Sequence, residues 1–538
     1  MKKMAKSAAI LSAAILVLGL FWQPPPASAG PQARIGQPLI RPAWWWTPRT
    51  LLLGVGDSLT QGTRDATNNA YNTENAYLHK IARQLALVMP VSFAQPFLNE
   101  DGNRINPFTI PTNLAVDGED IFSVEGYEYG QRAGSSWNYL SDEYRCDRLQ
   151  PYLFADMHDK VLYPINLRAR RPVSQVEALI WHLDRNDGPA WVIFWVGNND
   201  AALSTLGLGG KNPEYLPIPF DQVQDKLKPA VRYLLSFGCS QGVLAFDPYT
   251  YEHIEHNLTT EDDFRGQFNH LLSRINLNRS KTQFFFLTFP YYPEIGYLMD
   301  KEDLNFYLNK WQYFIPEGFS GRVPLLTFIS LYALLKSGET SRLDEILATD
   351  SLILSDEERS GIEARIDAFN SITQTVSGSN VHVILIGQKL NEVFASGLAV
   401  GGKTLTRSWG RGNAFSLDGV HAGHTVHAFI ANLVLDEMNK LLTPHAPKYD
   451  LADVLAGDPY VDRDGDGWVA GPDYKASGRT KILFLFKDAQ EGVPGPAVID
   501  TMAASAVWDL ISDALLEEIV DIPLIRTEAQ RLEIIPIK

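Results

Sequence analysis

The stretch Thr-Leu-Leu-Leu-Gly-Val-Gly-Asp-Ser-Leu-Thr-Gln-Gly occupies residues 50–62 of the 538-residue chain and indicates the fold class. Its first seven residues form a short apolar run, which is typical of a strand buried on both faces of a parallel sheet. Glycines around Ser58 permit a tight turn directly after this strand. Because open parallel sheets bind ligands at the carboxyl ends of their strands, we expect Ser58 to lie at a ligand site.

Apolar runs and helical patterns alternate along the rest of the chain. Helical spacing over residues 75–87 is followed by an apolar run at 190–196, which predicts a second buried strand. Further helices and strands are predicted at residues 174–184, 261–275, 282–288, 356–373, 381–386 and 425–442. This alternation predicts an α/β fold with a parallel sheet covered on both faces. Residues 201–260 and 291–351 do not follow this alternation of strands and helices. We interpret both stretches as insertions that form a cap.

Composition excludes several classes of protein. Hydrophobic residues make up 45% of the chain and charged residues 20%, which is ordinary for a globular protein. The formal net charge of -16 argues against a nucleic-acid partner, because phosphates are bound by basic surfaces. Cys146 and Cys239 are too few for a disulfide scaffold or a four-cysteine zinc site, and the sequence leaves open whether they pair.

The first 29 residues have the pattern of a secretory signal. Lysines precede an apolar run over residues 7–21, and Ala27-Ser28-Ala29 supplies a small-residue cleavage site. The apolar run is short for a bilayer span, so we expect cleavage near Ala29, secretion, and no stable membrane span in the mature chain. The alternative is an uncleaved membrane anchor.

Three further motifs follow Gly56-Asp57-Ser58-Leu59 in order along the chain. They are the segment from Asn113 to Gly118, Gly197-Asn198-Asn199-Asp200 after the second strand, and Asp418-Gly419-Val420-His421 before the last helix. Together the four blocks resemble the SGNH hydrolase family, also called GDSL esterases and lipases. The resemblance covers residues 50–125, 175–200, 262–290 and 356–442. It implies a flavodoxin-like three-layer α/β sandwich and hydrolysis of carboxylic esters with no catalytic cofactor.

The requirements of acyl transfer suggest a catalytic triad. A serine hydroxyl is a poor nucleophile until a base removes its proton, and Ser58 is the candidate nucleophile. His421 is the candidate base, and Asp418 can hold its tautomer from the same turn. We expect the Ser58 hydroxyl and the His421 ring to lie within hydrogen-bond reach. The spacing of His421, His424 and His427 raises a metal site as an alternative, but no carboxylate or cysteine motif completes a ligand set.

The resemblance also implies an oxyanion hole. Its donors are the main-chain N–H groups of Ser58 and Gly118 and the side-chain amide of Asn199. In the family pattern G-x-N-D it is Asn199 that faces the site. Asn198 is then structural, and we expect Asp200 to hold the loop in place.

Residues 462–473 fit the spacing of a twelve-residue EF-hand calcium loop, with Gly467 at the sharp turn. The closing aspartate, in place of glutamate, resembles dockerin-type loops. Only one loop is visible and its exit helix is poor, so we expect a structural Ca²⁺ ion and no cohesin partner. The alternative is an acidic surface turn. The expected ligands are Asp462, Asp464, Asp466, Trp468 and Asp473.

These features divide the chain into a signal peptide (1–29), a lead-in (30–49), a hydrolase domain (50–442) and a C-terminal extension (443–538). We expect a secreted, monomeric serine esterase acting on lipid or other apolar acyl esters, because the second insertion is rich in apolar residues. One alternative is a carbohydrate esterase that removes acetyl groups from polysaccharide, with Trp44-Trp45-Trp46 lining a groove. Another is a non-catalytic, calcium-stabilised binding or adhesion protein on a hydrolase scaffold.

Overall fold

A computed structural model describes much of the chain between Arg49 and Arg463. The described residues are 49–64, 68–99, 104–126, 157–170, 173–206, 218–219, 242–243, 258–309, 312–325, 328, 343–348, 353–416 and 418–463. The chain divides into residues 1–45, none of which is described, and a unit of residues 46–538 that contains every described residue. The signal peptide, both cysteines and the calcium-loop residues after Arg463 lie outside the described residues.

The predicted parallel sheet is present. The described strands are β1 (Thr50–Gly56), β2 (Val91–Ser92), β3 (Ala190–Trp195), β4 (Ile218–Pro219), β5 (Gly242–Val243), β6 (Thr282–Leu287), β7 (Leu298–Met299), β8 (Val323–Pro324), β9 (Val381–Ile384), β10 (Leu398–Val400) and β11 (Lys403–Leu405). Five of them form one sheet in the order β2-β1-β3-β6-β9, and all its neighbours run parallel. The other six pair as antiparallel ladders, β4 with β5, β7 with β8, and β10 with β11. The predictions of β1, β3, β6 and β9 are confirmed, whereas β2 was not predicted.

The helices predicted at residues 75–87, 174–184, 261–275, 356–373 and 425–442 are confirmed, and the structure adds others. The described α-helices are α1 (Ser58–Gln61), α2 (Ala70–Glu74), α3 (Tyr77–Leu85), α4 (Met157–Leu162), α5 (Ile165–Ala169), α6 (Gln175–Leu183), α7 (Asn199–Leu206), α8 (Glu261–Ile275), α9 (Lys301–Leu308), α10 (Leu343–Ala348), α11 (Asp356–Gln374), α12 (Ile386–Ser396), α13 (His424–Asn439) and α14 (Leu451–Ala456). Single 3-10 turns lie at Ser123–Glu125 and Tyr292–Glu294. None of the described helices is both long and apolar enough to cross a membrane.

The core lies between the central strands and two groups of helices. Strands β1 and β3 pair over six residues, from Leu51 opposite Ala190 to Gly56 opposite Trp195, and all of β3 is buried. Burial on both faces explains why these strands are continuous apolar runs. Helices α3, α13 and α14 pack together, and α8 packs against α6 and α11. This arrangement is compatible with a three-layer α/β fold.

The strand order reverses between β1 and β3, because the chain leaves β1 for the sheet edge and returns on its other side. In open α/β sheets this reversal opens a crevice at the carboxyl ends of the two strands. The segment 112–116 continues the edge beyond β2: Gly54 N–H donates to the Thr112 carbonyl at 3.0 Å, and Leu114 N–H donates to the Gly54 carbonyl at 2.8 Å. Three chain segments therefore reach the same end of the sheet.

The first residues after the predicted hydrolase domain pack back onto it. Helix α13 begins after Gly423, which has no side chain to cap the helix. The buried Asp458 supplies this cap: its Oδ2 accepts hydrogen bonds from the main-chain N–H and the hydroxyl of Thr425, both at 2.8 Å. Its Oδ1 accepts from Tyr460 N–H at 3.0 Å. The helix that follows His421 is thus completed by a residue far along the chain.

Replacement of Asp458 tests this cap. Asp458→Ala leaves three buried donors without their acceptor, so we expect it to lower the free energy of unfolding by about 2–4 kcal/mol. Asp450→Ala, which removes the exposed cap of α14, is the matched control and should cost about 1 kcal/mol or less. Urea unfolding followed by circular dichroism measures both. Equal losses in the two variants would contradict the structural role assigned to Asp458.

Candidate active site

Ser58 lies in a one-turn helix at the carboxyl end of β1. Asp57 caps this turn, because its Oδ1 accepts a hydrogen bond from Leu59 N–H at 3.0 Å. Gly62 ends the turn with φ of 105°, a left-handed conformation that glycine adopts without strain, and its N–H donates to the Ser58 carbonyl at 2.8 Å. Ser58 is 7% exposed. We call residues 57–62 the serine turn.

Side chains from three other elements hold the serine turn and the preceding Gly56 in place. Gln175 makes two hydrogen bonds to the main chain of Gly56, accepting from its N–H at 3.0 Å and donating to its carbonyl at 2.8 Å. The hydroxyls of Thr60 and Tyr77 lie 2.9 Å apart, and Asn113 donates to the Thr60 carbonyl at 2.9 Å. The sequence analysis missed Gln175 and Tyr77, because nothing in their local sequence reveals partners so far along the chain.

His421 and Asp418 lie together, as their spacing predicts. The His421 Nδ1 atom is 2.7 Å from Asp418 Oδ2. The other carboxylate oxygen, Asp418 Oδ1, accepts from the main-chain N–H groups of His421 and Val420 and from the Ser416 hydroxyl. Both oxygens of Asp418 are therefore engaged, which fixes the orientation of the ring. His421 is 7% exposed. We call residues 418–423 the histidine loop.

The histidine loop rests on the segment that follows strand β6. Gly419 has φ of 69°, and a Cβ atom there would lie 2.7 Å from the Tyr297 main-chain nitrogen. Its carbonyl accepts a hydrogen bond from Tyr297 N–H at 2.8 Å. Part of the second predicted insertion therefore contacts the histidine loop and supports it. Glycine is required at residue 419 by both the backbone conformation and the close approach.

The structure brings the histidine loop beside the serine turn. His421 is close enough to the carboxyls of Asp57 and Asp117 for each to alter its pKa. Ser58 and His421 are both described, and no hydrogen bond joins the serine hydroxyl to the ring. The expected direct contact is therefore not formed here. Such catalytic hydrogen bonds often tighten only when substrate binds.

Gly118 lies next to the serine turn. Its neighbour Asp117 donates its N–H to Gln61 Oε1 at 2.7 Å, and Asp117 Oδ2 accepts from the Thr63 hydroxyl at 3.0 Å. These two bonds bring the loop that carries Gly118 against the residues that follow Ser58. The main-chain N–H of Gly118 lowers the pKa of the Asp117 carboxyl, against the larger effect of burial.

The two asparagines after β3 have different partners. Asn198 Nδ2 donates to Asp57 Oδ2 at 2.7 Å, which ties the end of β3 to the serine turn. Asn199 Nδ2 donates to the Glu119 carbonyl at 2.9 Å, and this bond uses one of its two amide protons. Asp200 accepts from Ile121 N–H and from the Thr259 hydroxyl, so it holds the loop as expected.

Burial shapes the electrostatics of the site. Burial raises the pKa of Asp57 to about 7, against the opposing effect of the Asn198 hydrogen bond. Burial likewise raises the pKa of Asp117 to about 6, although His421 lowers it. Burial alone would lower the pKa of His421, but Asp418, Asp117 and Asp57 together hold this pKa above its ordinary value. The negative charges thus favour a protonated ring.

The neighbouring histidines pack at the start of α13. Burial lowers the pKa of His427 well below its usual range, and its Nδ1 accepts from Tyr77 N–H at 3.1 Å. The His424 ring packs against Tyr71 and Tyr460. Within the described part of the chain, no group of three or more histidine, cysteine, aspartate or glutamate side chains is placed to hold a metal ion.

The predicted calcium loop is described only at its first residues. Asp462 donates its N–H to Asn413 Oδ1, and its carbonyl accepts from Lys403 Nζ at 2.7 Å. The chain therefore enters the loop from a fixed point. The other expected ligands, Asp464, Asp466, Trp468 and Asp473, lie outside the described residues.

Comparison with protein-family models gives no match for this sequence, and a search of curated proteins also gives none.

The pKa of Asp57 predicts a pH dependence of stability. An unfolded aspartate has a pKa of about 3.9, so between roughly pH 4 and 7 the folded protein binds a proton that the unfolded chain has lost. The free energy of unfolding therefore falls as pH rises through this window. In Asp57→Asn, the new amide can pair with Asn198 Oδ1, which is buried without a hydrogen-bond partner among the described residues. We expect the wild type to lose about 1 kcal/mol or more relative to Asp57→Asn across this window.

Urea unfolding at several pH values measures this difference. Asp453→Asn changes an exposed carboxylate and serves as the control, whose curve should run parallel to that of the wild type. If the wild-type and Asp57→Asn curves are also parallel, the protonation assigned to Asp57 is wrong.

Proposed function

We propose that this protein is a serine hydrolase that cleaves carboxylic esters through an acyl-enzyme intermediate. The observation that carries the proposal is the pair formed by Asp418 and the buried His421, 2.7 Å apart, beside the turn that carries Ser58. The turn lies at the carboxyl end of a central strand, where parallel sheets bind their ligands. The resemblance of the four sequence blocks to SGNH hydrolases supports the same conclusion.

In the proposed acylation step, Ser58 Oγ attacks the ester carbonyl carbon while His421 Nε2 removes the hydroxyl proton. Asp418 accepts the hydrogen bond from Nδ1 and stabilises the imidazolium that forms. The tetrahedral intermediate then collapses, and His421 returns the proton to the leaving alcohol. In deacylation a water molecule takes the place of the serine hydroxyl, which releases the acid and regenerates Ser58.

The raised pKa of His421 suits this role. Asp418, Asp117 and Asp57 favour the protonated ring, which is the form the ring takes when it accepts the serine proton. A more basic ring removes that proton more readily. The buried carboxyls around His421 would therefore stabilise the transition state of each proton transfer.

The proposed oxyanion donors are the N–H groups of Ser58 and Gly118 and the amide of Asn199. The Asn199 amide keeps a second proton beyond the one donated to Glu119, and this proton would serve the oxyanion. The Gly118 N–H belongs to the loop that Asp117 ties to Gln61 and Thr63, beside the serine turn. From this loop it would donate to the developing negative charge.

Apolar acyl esters are the proposed substrate class, with acetylated polysaccharide as the alternative. The composition of residues 291–351 supports the first choice. The aromatic ring of Tyr307 in this stretch, however, packs against Phe328 and Trp409 in the core. These rings stabilise the fold, and the preferred length of the acyl chain distinguishes the two substrate classes.

Hydrolysis of p-nitrophenyl acetate, butyrate and palmitate tests the proposal. We expect turnover by the mature protein and a loss of about 10³-fold or more in Ser58→Ala, because the nucleophile is removed. Ser371→Ala, on the exposed face of α11, is the matched control and should keep full activity. A preference for long acyl chains supports lipid-like substrates, and activity on acetate alone favours the polysaccharide esterase. Absence of wild-type turnover on all three esters, with Ca²⁺ supplied, would contradict the esterase and favour the binding protein.

The two asparagines offer a second, sharper test. Asn199→Ala should lower kcat by about 10²–10³-fold with little change in KM, because one oxyanion donor is lost. Asn198→Ala should instead lower the melting temperature, because the buried Asp57 carboxyl loses its amide donor. A kcat for Asn199→Ala equal to that of the wild type would remove Asn199 from the oxyanion hole.

A further inference from the structure

Arg64 is fully buried although it follows the serine turn by only two residues. Its guanidinium donates to four main-chain carbonyl oxygens. Nε bonds to Ala422 at 3.1 Å, Nη1 to Gly62 at 3.2 Å and to Asn72 at 2.6 Å, and Nη2 to Asn75 at 3.1 Å. Removing a charge from water is costly unless its hydrogen bonds are replaced, and these carbonyls replace them.

Two of these acceptors belong to the two halves of the candidate site. Gly62 ends the serine turn, and its N–H donates to the Ser58 carbonyl. Ala422 directly follows His421 and lies 358 positions from Arg64 along the chain. One rigid, planar group therefore contacts the main chain on both sides of the proposed proton transfer.

Apart from the bond that the Gly419 carbonyl accepts from Tyr297 N–H, the other main-chain hydrogen bonds of the histidine loop are local. The His421 carbonyl accepts from Ser416 N–H at 2.7 Å, and Gly423 N–H donates to the Ala414 carbonyl at 2.9 Å. These bonds fix the shape of the loop. They do not fix its distance from Ser58, whereas the bond from Arg64 to Ala422 does.

We propose that Arg64 is a positioning residue that sets the alignment of His421 with Ser58. This inference rests on the proposed esterase function and adds a residue that the four sequence blocks do not include. Arg64 contacts neither the reacting atoms nor the imidazole ring in the described hydrogen bonds, and it acts through the main chain of the two loops. The planar arrangement of N–H donors on the guanidinium, and not its positive charge alone, holds the two loops in alignment.

Arg64→Lys tests this role, because lysine keeps the charge and loses the planar arrangement of donors. The matched control is Arg104→Lys. Arg104 is also buried and also donates to four main-chain carbonyls, and none of these belongs to the serine turn or the histidine loop; they are those of Lys160, Val161, Tyr163 and Thr109. Both variants should melt at a lower temperature than the wild type. We expect kcat to fall about 10²-fold in Arg64→Lys, with little change in KM, and to stay near the wild-type value in Arg104→Lys.

Hydrogen exchange supplies a readout that does not depend on turnover. Peptides covering residues 416–424 should exchange faster in Arg64→Lys than in the wild type, and at the wild-type rate in Arg104→Lys. If the wild type hydrolyses no ester, the proposed function fails, but the exchange rates still test whether Arg64 holds the histidine loop. Arg64→Gln, which keeps two donors without the charge, is the second variant if the lysine variant does not fold.

The positioning role is overturned by either of two results. One is a kcat for folded Arg64→Lys equal to that of the wild type. The other is an equal loss of kcat in Arg64→Lys and Arg104→Lys with unchanged exchange at residues 416–424, since that result assigns to Arg64 only a general contribution to stability.

Discussion

The hydrogen bond between the Asp57 carboxyl and the Asn198 amide, 2.7 Å long and buried, joins the turns that leave the two central strands. The same carboxyl caps the serine turn through Leu59 N–H. One side chain therefore determines both where the turn of Ser58 begins and where the loop that follows β3 lies. Asn199 directly follows Asn198, so the hydrogen bond between Asn198 and Asp57 also fixes the position of the Asn199 amide. The rest of the candidate site is assembled around these two turns.

The carboxyls around the His421 imidazole lower the stability of the fold near neutral pH, but they also stabilise the protonated ring. Burial raises the pKa of Asp57 and of Asp117, so their ionised forms cost folding free energy near neutral pH. The same charges raise the pKa of His421 and stabilise its protonated form. A structure selected only for stability would have little reason to gather these groups in one buried place. Gathering titratable groups with shifted pKa values in one buried place is a pattern common at functional sites.

The fold could be predicted from the sequence wherever local pattern and tertiary environment agree. Buried parallel strands appear as continuous apolar runs, whereas β2, only Val91–Ser92, is too short to show any period. The pairing of Asp418 with His421 could also be predicted, because three residues bring both side chains into one turn. Arg64 and Gln175 could not be predicted. Each looks like an ordinary surface residue in its own segment, and each acquires its role only from main-chain atoms that the fold brings from distant parts of the chain.

The bond from Arg64 to Ala422 also bears on the order in which the candidate site is assembled during synthesis. The serine turn and Arg64 emerge from the ribosome early, but Ala422, whose carbonyl accepts the hydrogen bond from Arg64 Nε, lies 358 positions after Arg64. The Tyr460 hydroxyl, which contacts Asn72 Oδ1 at 3.3 Å, emerges later still. Contacts between such distant positions form late in folding, because a long loop must close first. The nascent chain therefore carries Ser58 without the contacts of His421, Ala422 and Tyr460 until nearly the whole described region has been made, so the candidate site is among the last parts of the fold to be completed.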